Sequence, residues 1–329
     1  MKKVRLKDIA KLAQVSETTV SLVLNDKAKS ISQEKINEIK TIASQLNYRP
    51  NYLAKSLSTN KTYTIGLIVP DIENLFFASL VKNLIDILNK EGYLCLVSIS
   101  NESMKQDIKL IGELENRNVD GLLLALSNES LQNEAFIKNQ LEQLTIPYVL
   151  VDRIFHNDEK NQVHFDNRYG GYIATQHLID QGHEKIACIT GNIDSFNARE
   201  RYLGYKDALK DNGIALDPNL VKFGEFTFNS GYNQALDLFD QGIDSVFCSN
   251  DLIAYGFVSA MMEKNIACQD IDVVGYDNLE ILKKLYPLLK SVSQDIDHLS
   301  NESATMLLSL IENDSKANEI ILKPQLVVI

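Results

Sequence analysis

Lys7-Asp-Ile-Ala-Lys-Leu-Ala-Gln-Val-Ser-Glu-Thr-Thr-Val-Ser-Leu-Val-Leu-Asn25 is the stretch that decides how this 329-residue chain is organised. Its apolar spacing predicts a short helix over Leu6 to Ala13 with Leu6, Ile9, Ala10 and Ala13 on one face. The two alanines leave room for a second helix to cross closely. A turn follows at Gln14-Val15-Ser16, and Ser16 is placed to cap a helix over Glu17 to Asn25. That helix turns Val20, Val23 and Leu24 inward and leaves Glu17, Thr18, Ser21, Leu22 and Asn25 outside. A third amphipathic segment, Ser32 to Leu46, contributes Ile36, Ile39, Ile42, Ala43 and Leu46 to the same core. Three short helices, the second joined to the first by a tight turn, form the arrangement that lays a recognition helix in a major groove. Periodicity alone would fit any small helical bundle equally well.

Charge divides the chain at the same place. The formal net charge is -11, yet residues 1–60 carry 11 Lys/Arg against 5 Asp/Glu, leaving 22 against 39 for the remainder. A basic head of this kind neutralises phosphates, and an acidic body stays clear of them. Lys2, Lys3 and Arg5 are followed by Asp8 and Lys11 rather than by an apolar run, so no export signal is expected. No segment reaches the apolar length of a membrane span. Cys95, Cys188, Cys248 and Cys268 have no metal or redox spacing and read as reduced thiols of a cytoplasmic protein.

The quoted stretch, with Leu46-Asn-Tyr-Arg-Pro-Asn-Tyr-Leu-Ala-Lys-Ser-Leu57 after it, strongly resembles the headpiece and hinge of the LacI family of transcriptional regulators. The resemblance implies that Glu17, Thr18 and Leu22 occupy base-reading positions, with Ser16, Thr19, Ser21 and Asn25 near phosphates or supporting the helix. It also implies a hinge helix over Asn51 to Ser58, too short to be stable alone and folded only on DNA. Leu57 from each subunit of a homodimer would wedge into a central base step from the minor groove, with Asn51, Ala54 and Lys55 beside it. Two hinges meeting at one step imply a near-palindromic double-stranded operator. Two departures stand out: Leu22 replaces a long polar or basic residue, and Gln14 replaces the glycine often found in the turn.

From residue 62 onward short apolar runs alternate with amphipathic helical stretches, which predicts an α/β body with parallel sheets covered by helices. Ile65 to Val69, Leu94 to Val97, Leu122 to Leu126 and Tyr148 to Val151 read as strands of a first lobe. Val163 to Phe165, Ile186 to Thr190, Val221 to Gly224, Val246 to Ser249 and Val273 to Tyr276 read as a second. Ser291 to Gln294 and a helix over His298 to Glu312 are expected to cross back to the first. The domain plan is a helix-turn-helix headpiece (1–49), a hinge and linker (50–61), and a two-lobed body (62–329). Lobe 1 is expected over about 62–161 and 292–320, and lobe 2 over about 162–291 and 321–329. Ligands of such sheets bind beyond the carboxyl ends of the strands.

Residues near those ends suit a polyhydroxylated ring: Phe76, Phe77 and Phe226 for its apolar faces, Arg201, Asn250 and Asp277 for its hydroxyls. Taken singly, each is as well explained by a core or capping role. The segments Ile65-Gly-Leu-Ile-Val-Pro-Asp, Val151-Asp-Arg, Asp166-Asn-Arg-Tyr-Gly-Gly-Tyr, Arg201-Tyr-Leu-Gly-Tyr, Ser249-Asn-Asp-Leu-Ile-Ala and Val274-Gly-Tyr-Asp-Asn278 resemble the effector domain of the same family. That domain is related in fold to periplasmic sugar-binding proteins. The resemblance implies effector contacts from Phe76, Phe77, Asn197, Arg201, Phe226, Asn250 and Asp277, with Asp166 and Ser195 beside them. Leu288-Leu-Lys-Ser291 departs from the threonine-rich segment common in the family.

The function expected is that of a sequence-specific DNA-binding transcriptional regulator, a repressor whose operator affinity is modulated by a small, sugar-like effector bound between the lobes. A phosphocarrier protein or a purine-like corepressor are alternatives for the effector. A sugar-binding module or an enzyme is the alternative of another class. No phosphate-binding Gly-Lys-Ser/Thr loop, Gly-x-Ser-x-Gly elbow or His-Glu-x-x-His is present, and the five histidines are scattered. No cofactor or metal is expected.

Overall fold

Ile9, Ala13, Val20, Val23, Ile39 and Ala43 close a small core of their own, and this core builds the first of two units, Met1–Thr62. The computed structural model describes residues 4–24, 28, 31–48, 61–155, 160–285, 289–313 and 318–328. In the first unit, α1 (Leu6–Leu12), α2 (Glu17–Leu24) and α3 (Gln33–Gln45) share that core, with Leu6, Leu24, Ile36, Ile42 and Leu46 packed around it. Every inward position expected from the spacing is in the cluster. Asn25, Asn51, Ala54, Lys55 and Leu57, and with them the hinge helix, lie outside the described residues.

The second unit, Tyr63–Ile329, contains two six-stranded sheets. In the first lobe β1 (Thr64–Val69), β2 (Leu94–Ile99), β3 (Gly121–Leu124), β4 (Tyr148–Val151) and β5 (Gln162–Phe165) are joined by a late strand, Glu319–Leu322. The order is Glu319–Leu322, β5, β4, β3, β1, β2, and all pairings are parallel. Helix α4 (Leu75–Lys90) covers one face. Helices α5 (Met104–Asn116), α6 (Asn128–Gln132) and α7 (Glu134–Glu142) cover the other, so Leu122, Leu123 and Leu124 are all fully buried. Burial on both faces explains why these strands read as unbroken apolar runs.

The second lobe repeats the plan with α8 (Asn167–Asp180), β6 (Ile186–Thr190), α9 (Phe196–Asp211), β7 (Val221–Phe223), α10 (Phe228–Phe239), β8 (Ser245–Cys248), α11 (Asp251–Glu263), β9 (Asp272–Asp277), α12 (Glu280–Leu285) and β10 (Lys290–Ser293). Helix α13 (Ile296–Ile311) then returns to pack on α4 in the first lobe, followed by β11 (Glu319–Leu322) there and β12 (Gln325–Val327) here. β12 pairs antiparallel with β10; the other pairings in this sheet are parallel. Gly171 on α8 and Gly204 on α9 bring the two helices together so closely that a Cβ at either would strike the other's backbone, at Arg201 and Arg168 respectively. This contact sets Arg201 at a fixed height above the sheet.

Three expectations are corrected. Val163 to Phe165 belongs to the first sheet, because β5 is bonded on both sides there, by β4 and β11. The segment around Ser291 stays in the second sheet beside β9, and the chain crosses only after Ser293. The tail's return to the second lobe, expected near residue 320, comes only after Leu322, so that the tail supplies Glu319–Leu322 to the first sheet and Gln325–Val327 to the second. The chain therefore passes between lobes at Phe165–Asn167, Ser293–Ile296 and Leu322–Gln325.

Candidate functional site

On the headpiece, one face of α2 is turned toward solvent. Ser16, Glu17, Thr18 and Leu22 are exposed, and Thr19 and Ser21 half-buried. Ser16 Oγ accepts the Thr19 backbone N–H at 3.1 Å and lies 2.8 Å from Thr19 Oγ1, so both hydroxyls shape the helix start. Gln14 has φ +53°, the left-handed conformation that favours glycine, at a cost of roughly 1 kcal/mol for a residue with a Cβ. The turn thus keeps a glycine-like geometry without glycine.

In the body, the carboxyl ends of the two sheets face each other across a cavity of about 380 Å³ including its open mouth. From the first lobe, Asn74 caps α4 by accepting the Phe76 N–H at 3.0 Å. This places Phe76 and Phe77 in the first turn with their rings edge to face at 5.3 Å. Asp152 and Arg153 follow β4. From the second lobe come Ser195, Asn197 and Arg201 on or before α9, Phe226 before α10, Asn250 at the start of α11, Asp277 at the end of β9 and Gln294 after β10.

Arg201 is the centre of a buried network. Its Nε donates to Asn167 Oδ1 at 2.8 Å and its Nη1 to the Ser249 carbonyl at 2.7 Å. Its guanidinium lies 3.7 Å from the centre of the Tyr276 ring, and Nη1 stands 3.6 Å from Asp277 Oδ1. Asn167 also donates to Asn197 Oδ1 at 3.3 Å, and Asn197 donates across the cleft to Asp152 Oδ2 at 3.1 Å. Gln294 donates to Asp277 Oδ1 at 3.0 Å. Two acceptors of cavity-lining residues, Asp152 Oδ1 and Gln294 Oε1, are buried and have no hydrogen-bond partner among the described residues. Buried polar groups left this way cost stability until a donor reaches them.

Burial pushes the Asp277 carboxyl up to about 8, against the opposing pull of Arg201. Burial likewise raises Asp152, again opposed by Arg201 and by Arg153. A raised carboxyl favours the folded protein while it is neutral, and that contribution fades as pH climbs toward 8. A ligand hydroxyl donating to Asp277 would favour the ionised form. Binding near pH 7 is therefore expected to release protons, seen as a calorimetric heat that depends on the ionisation enthalpy of the buffer. Heats identical in phosphate and Tris at pH 7 would count against a direct ligand contact with this carboxyl.

Of the nine effector positions read from the sequence, Phe76, Phe77, Ser195, Asn197, Arg201, Phe226, Asn250 and Asp277 line the cavity together. Asp166 does not: its Oδ1 accepts the Tyr169 N–H at 2.9 Å and caps α8, and the neighbouring Asn167 turns inward instead. Asn74, Asp152, Arg153 and Gln294 were missed. The signal for the last three was present, because each follows the last residues of a strand where ligands of such sheets gather.

The matches to known proteins agree with both halves of this picture. Residues 5–51 match the family described as bacterial regulatory proteins, lacI family, and residues 62–325 match periplasmic binding proteins and sugar binding domain of LacI family. The chain is 34% identical to the HTH-type transcriptional repressor PurR of Histophilus somni, covering 98% of this chain and 97% of that protein. It is 33% identical to the ribose operon repressor of Escherichia coli, covering 93% and 92%. Among solved structures it is similar to the lac repressor dimer bound to operator and an anti-inducer, with a TM-score of 0.86 and 26% identity over 99% of this chain and 98% of that one.

Proposed function

The chain belongs to the LacI family of bacterial regulatory proteins, and from that premise we propose that it is a repressor gated by a pentose-sized sugar, with D-ribose the first compound to try. It is a DNA-binding transcriptional regulator with a ligand-binding body, and not an enzyme. No described helix is long and apolar enough to cross a membrane. Its work on DNA assigns it to the cytoplasm.

The observation that carries the sugar reading is the pair of unsatisfied acceptors, Asp152 Oδ1 and Gln294 Oε1, in a cavity that also holds Arg153, Arg201 and Asp277. A sugar hydroxyl both donates and accepts, so a ring carrying several of them answers carboxylates and guanidiniums from both lobes. Phe76, Phe77 and Phe226 supply apolar faces for its C–H groups. A purine, the second reading because of the similarity to PurR, has a few polar atoms confined to one plane and would leave more of these groups unanswered.

On DNA, the exposed face of α2 is assigned to the operator: Glu17, Thr18 and Leu22 to bases, Ser16, Thr19, Ser21 and Asn25 to phosphates or support. Asn51, Ala54, Lys55 and Leu57 are assigned to a hinge that meets its partner's hinge in a homodimer on a near-palindromic site. Leu22 favours a thymine methyl over a bidentate guanine contact. The effector gates binding only through its differential affinity for the two states of the dimer, commonly about 1–3 kcal/mol.

The test is thermal unfolding with D-ribose, other pentoses, hexoses, adenine and hypoxanthine, repeated as fluorescence anisotropy on an operator selected from random DNA. D-ribose or a close pentose is expected to raise the melting temperature and to shift operator affinity about tenfold or more. A shift with a purine alone would overturn the sugar reading in favour of the second one.

A further inference from the structure

Glu102 does not line the cavity, yet its carboxylate holds a guanidinium that does. Arg153 donates from Nη2 to Glu102 Oε1 at 2.7 Å and from Nη1 to Oε2 at 3.0 Å, the two-pronged match between guanidinium and carboxylate. Nη1 also donates to the Leu126 carbonyl at 2.9 Å, and the guanidinium lies over the Phe77 ring at 5.1 Å.

The loop between β2 and α5 is bent to achieve this. Asn101 and Glu102 are consecutive left-handed residues, with φ +52° and +56°, and neither is glycine. Backbone strain of this kind persists where surrounding contacts demand it. Here the Asn128 N–H donates to Glu102 Oε2 at 2.9 Å, the oxygen that also accepts from Arg153 Nη1, and helps fix the carboxylate. Burial works against the charge on Glu102, and Arg153 with that amide more than offsets it, leaving the carboxyl below its usual range.

Both cations at the cavity are already engaged. Arg153 has Glu102, and Arg201 has Asn167 and the Ser249 carbonyl, with Asp277 at 3.6 Å; no lysine or histidine lines the cavity among the described residues. We propose that Glu102 is a specificity-determining residue that restricts the effector to uncharged sugars. By occupying one edge of Arg153 it withholds the guanidinium from a phosphate group, and it leaves the remaining N–H groups to neutral hydroxyls. A phosphate entering the cavity would have to displace a carboxylate already in place and stand beside Asp152. This rests on the reading of the cleft as a sugar site.

The experiment compares full-length wild type with Glu102→Gln, whose amide oxygen still serves the Asn128 N–H. D-ribose, D-ribose 5-phosphate and inorganic phosphate are the calorimetric probes, with phosphorus NMR line widths as a second readout. Wild type is expected to bind D-ribose and neither anion. Glu102→Gln should bind both anions at least about tenfold more tightly than wild type, a gain lost again in the double variant with Arg153→Met. A residue with a merely structural role would weaken D-ribose binding on substitution and admit neither anion. Wild type taking D-ribose 5-phosphate as well as D-ribose would overturn the proposal. So would a folded Glu102→Gln no more receptive to phosphate than wild type. If Glu102→Gln fails to fold, wild-type discrimination between the two riboses decides. If wild type ignores D-ribose but the phosphate arm behaves as stated, the sugar assignment falls and the charge filter stands.

Discussion

Arg201→Ala is expected to abolish the response to effector while leaving operator binding intact. Arg201 is 4% exposed, and its guanidinium ties Asn167, the Ser249 carbonyl, the Tyr276 ring and Asp277 into one cluster. Truncating one partner of a buried, hydrogen-bonded charge pair costs roughly 2–5 kcal/mol in binding, a loss of about thirtyfold to several thousandfold. Arg201→Lys should rescue little, because an ammonium cannot serve Asn167 and Ser249 from one plane while stacking on Tyr276. The variant should also lose stability as pH rises through about 8, since Arg201 is what opposes the burial of an ionised Asp277 and Asp152. That loss should be small at neutral and acid pH, where the Asp277 carboxyl is already mostly neutral. Calorimetry with the effector and anisotropy on the operator read the two functions separately. A variant still released or tightened on DNA by the effector would show that the cleft is not the sensing site.

Arg201 is legible in the sequence itself. It opens Arg201-Tyr-Leu-Gly-Tyr, and Gly204 in that segment is what allows α9 to press against α8. A motif that mixes a charged group with a glycine at fixed spacing encodes both a contact and the packing that aims it. The inward faces of the headpiece were legible for a simpler reason. Val20, Val23, Ile39 and Ala43 answer to a single period, and one small core has room for only one face of each helix.

Lobe membership was less legible. Val163 to Phe165 shows that a strand is buried but not which sheet buries it, and the deciding partner, Glu319–Leu322, is more than 150 residues away. Glu319 opens that strand, Lys323 follows it and Ile321 within it is exposed, so its pattern is too short and mixed to stand out. At the cleft, Asp166 and Asn167 are adjacent polar residues at the end of a strand, and sequence gives no rule for which caps the helix and which turns inward. Glu102 was invisible for a further reason: its role depends on a left-handed loop and on Arg153, 51 residues on.

The lobes are joined at Phe165–Asn167, Ser293–Ile296 and Leu322–Gln325, and cavity residues sit beside two of these passages: Asn197 through Asn167, and Gln294 directly. A ligand that bonds Asp152 and Asp277 together therefore acts on side chains next to the segments about which the lobes would turn. Its leverage is the difference in contacts it makes in two lobe arrangements, and no contact common to both contributes.

Leu57→Ala is expected to weaken operator binding by roughly a hundredfold, about 3 kcal/mol, without touching effector affinity in the body. The leucine is proposed to enter a central base step from the minor groove, and unstacking that step is worth doing only if an apolar side chain fills the gap. Alanine is too short to fill it, so the kink loses its support while the headpiece keeps its contacts. Two measurements separate this from a general loss of DNA contact. The slope of log affinity against log salt should be unchanged, because no phosphate contact is removed. Substitutions at the central step of the operator, which alter its ease of unstacking, should matter to wild type and hardly at all to the variant. Wild-type operator affinity in Leu57→Ala, or a reduced salt slope with the central step still read, would return residues 50–61 to the role of a plain linker.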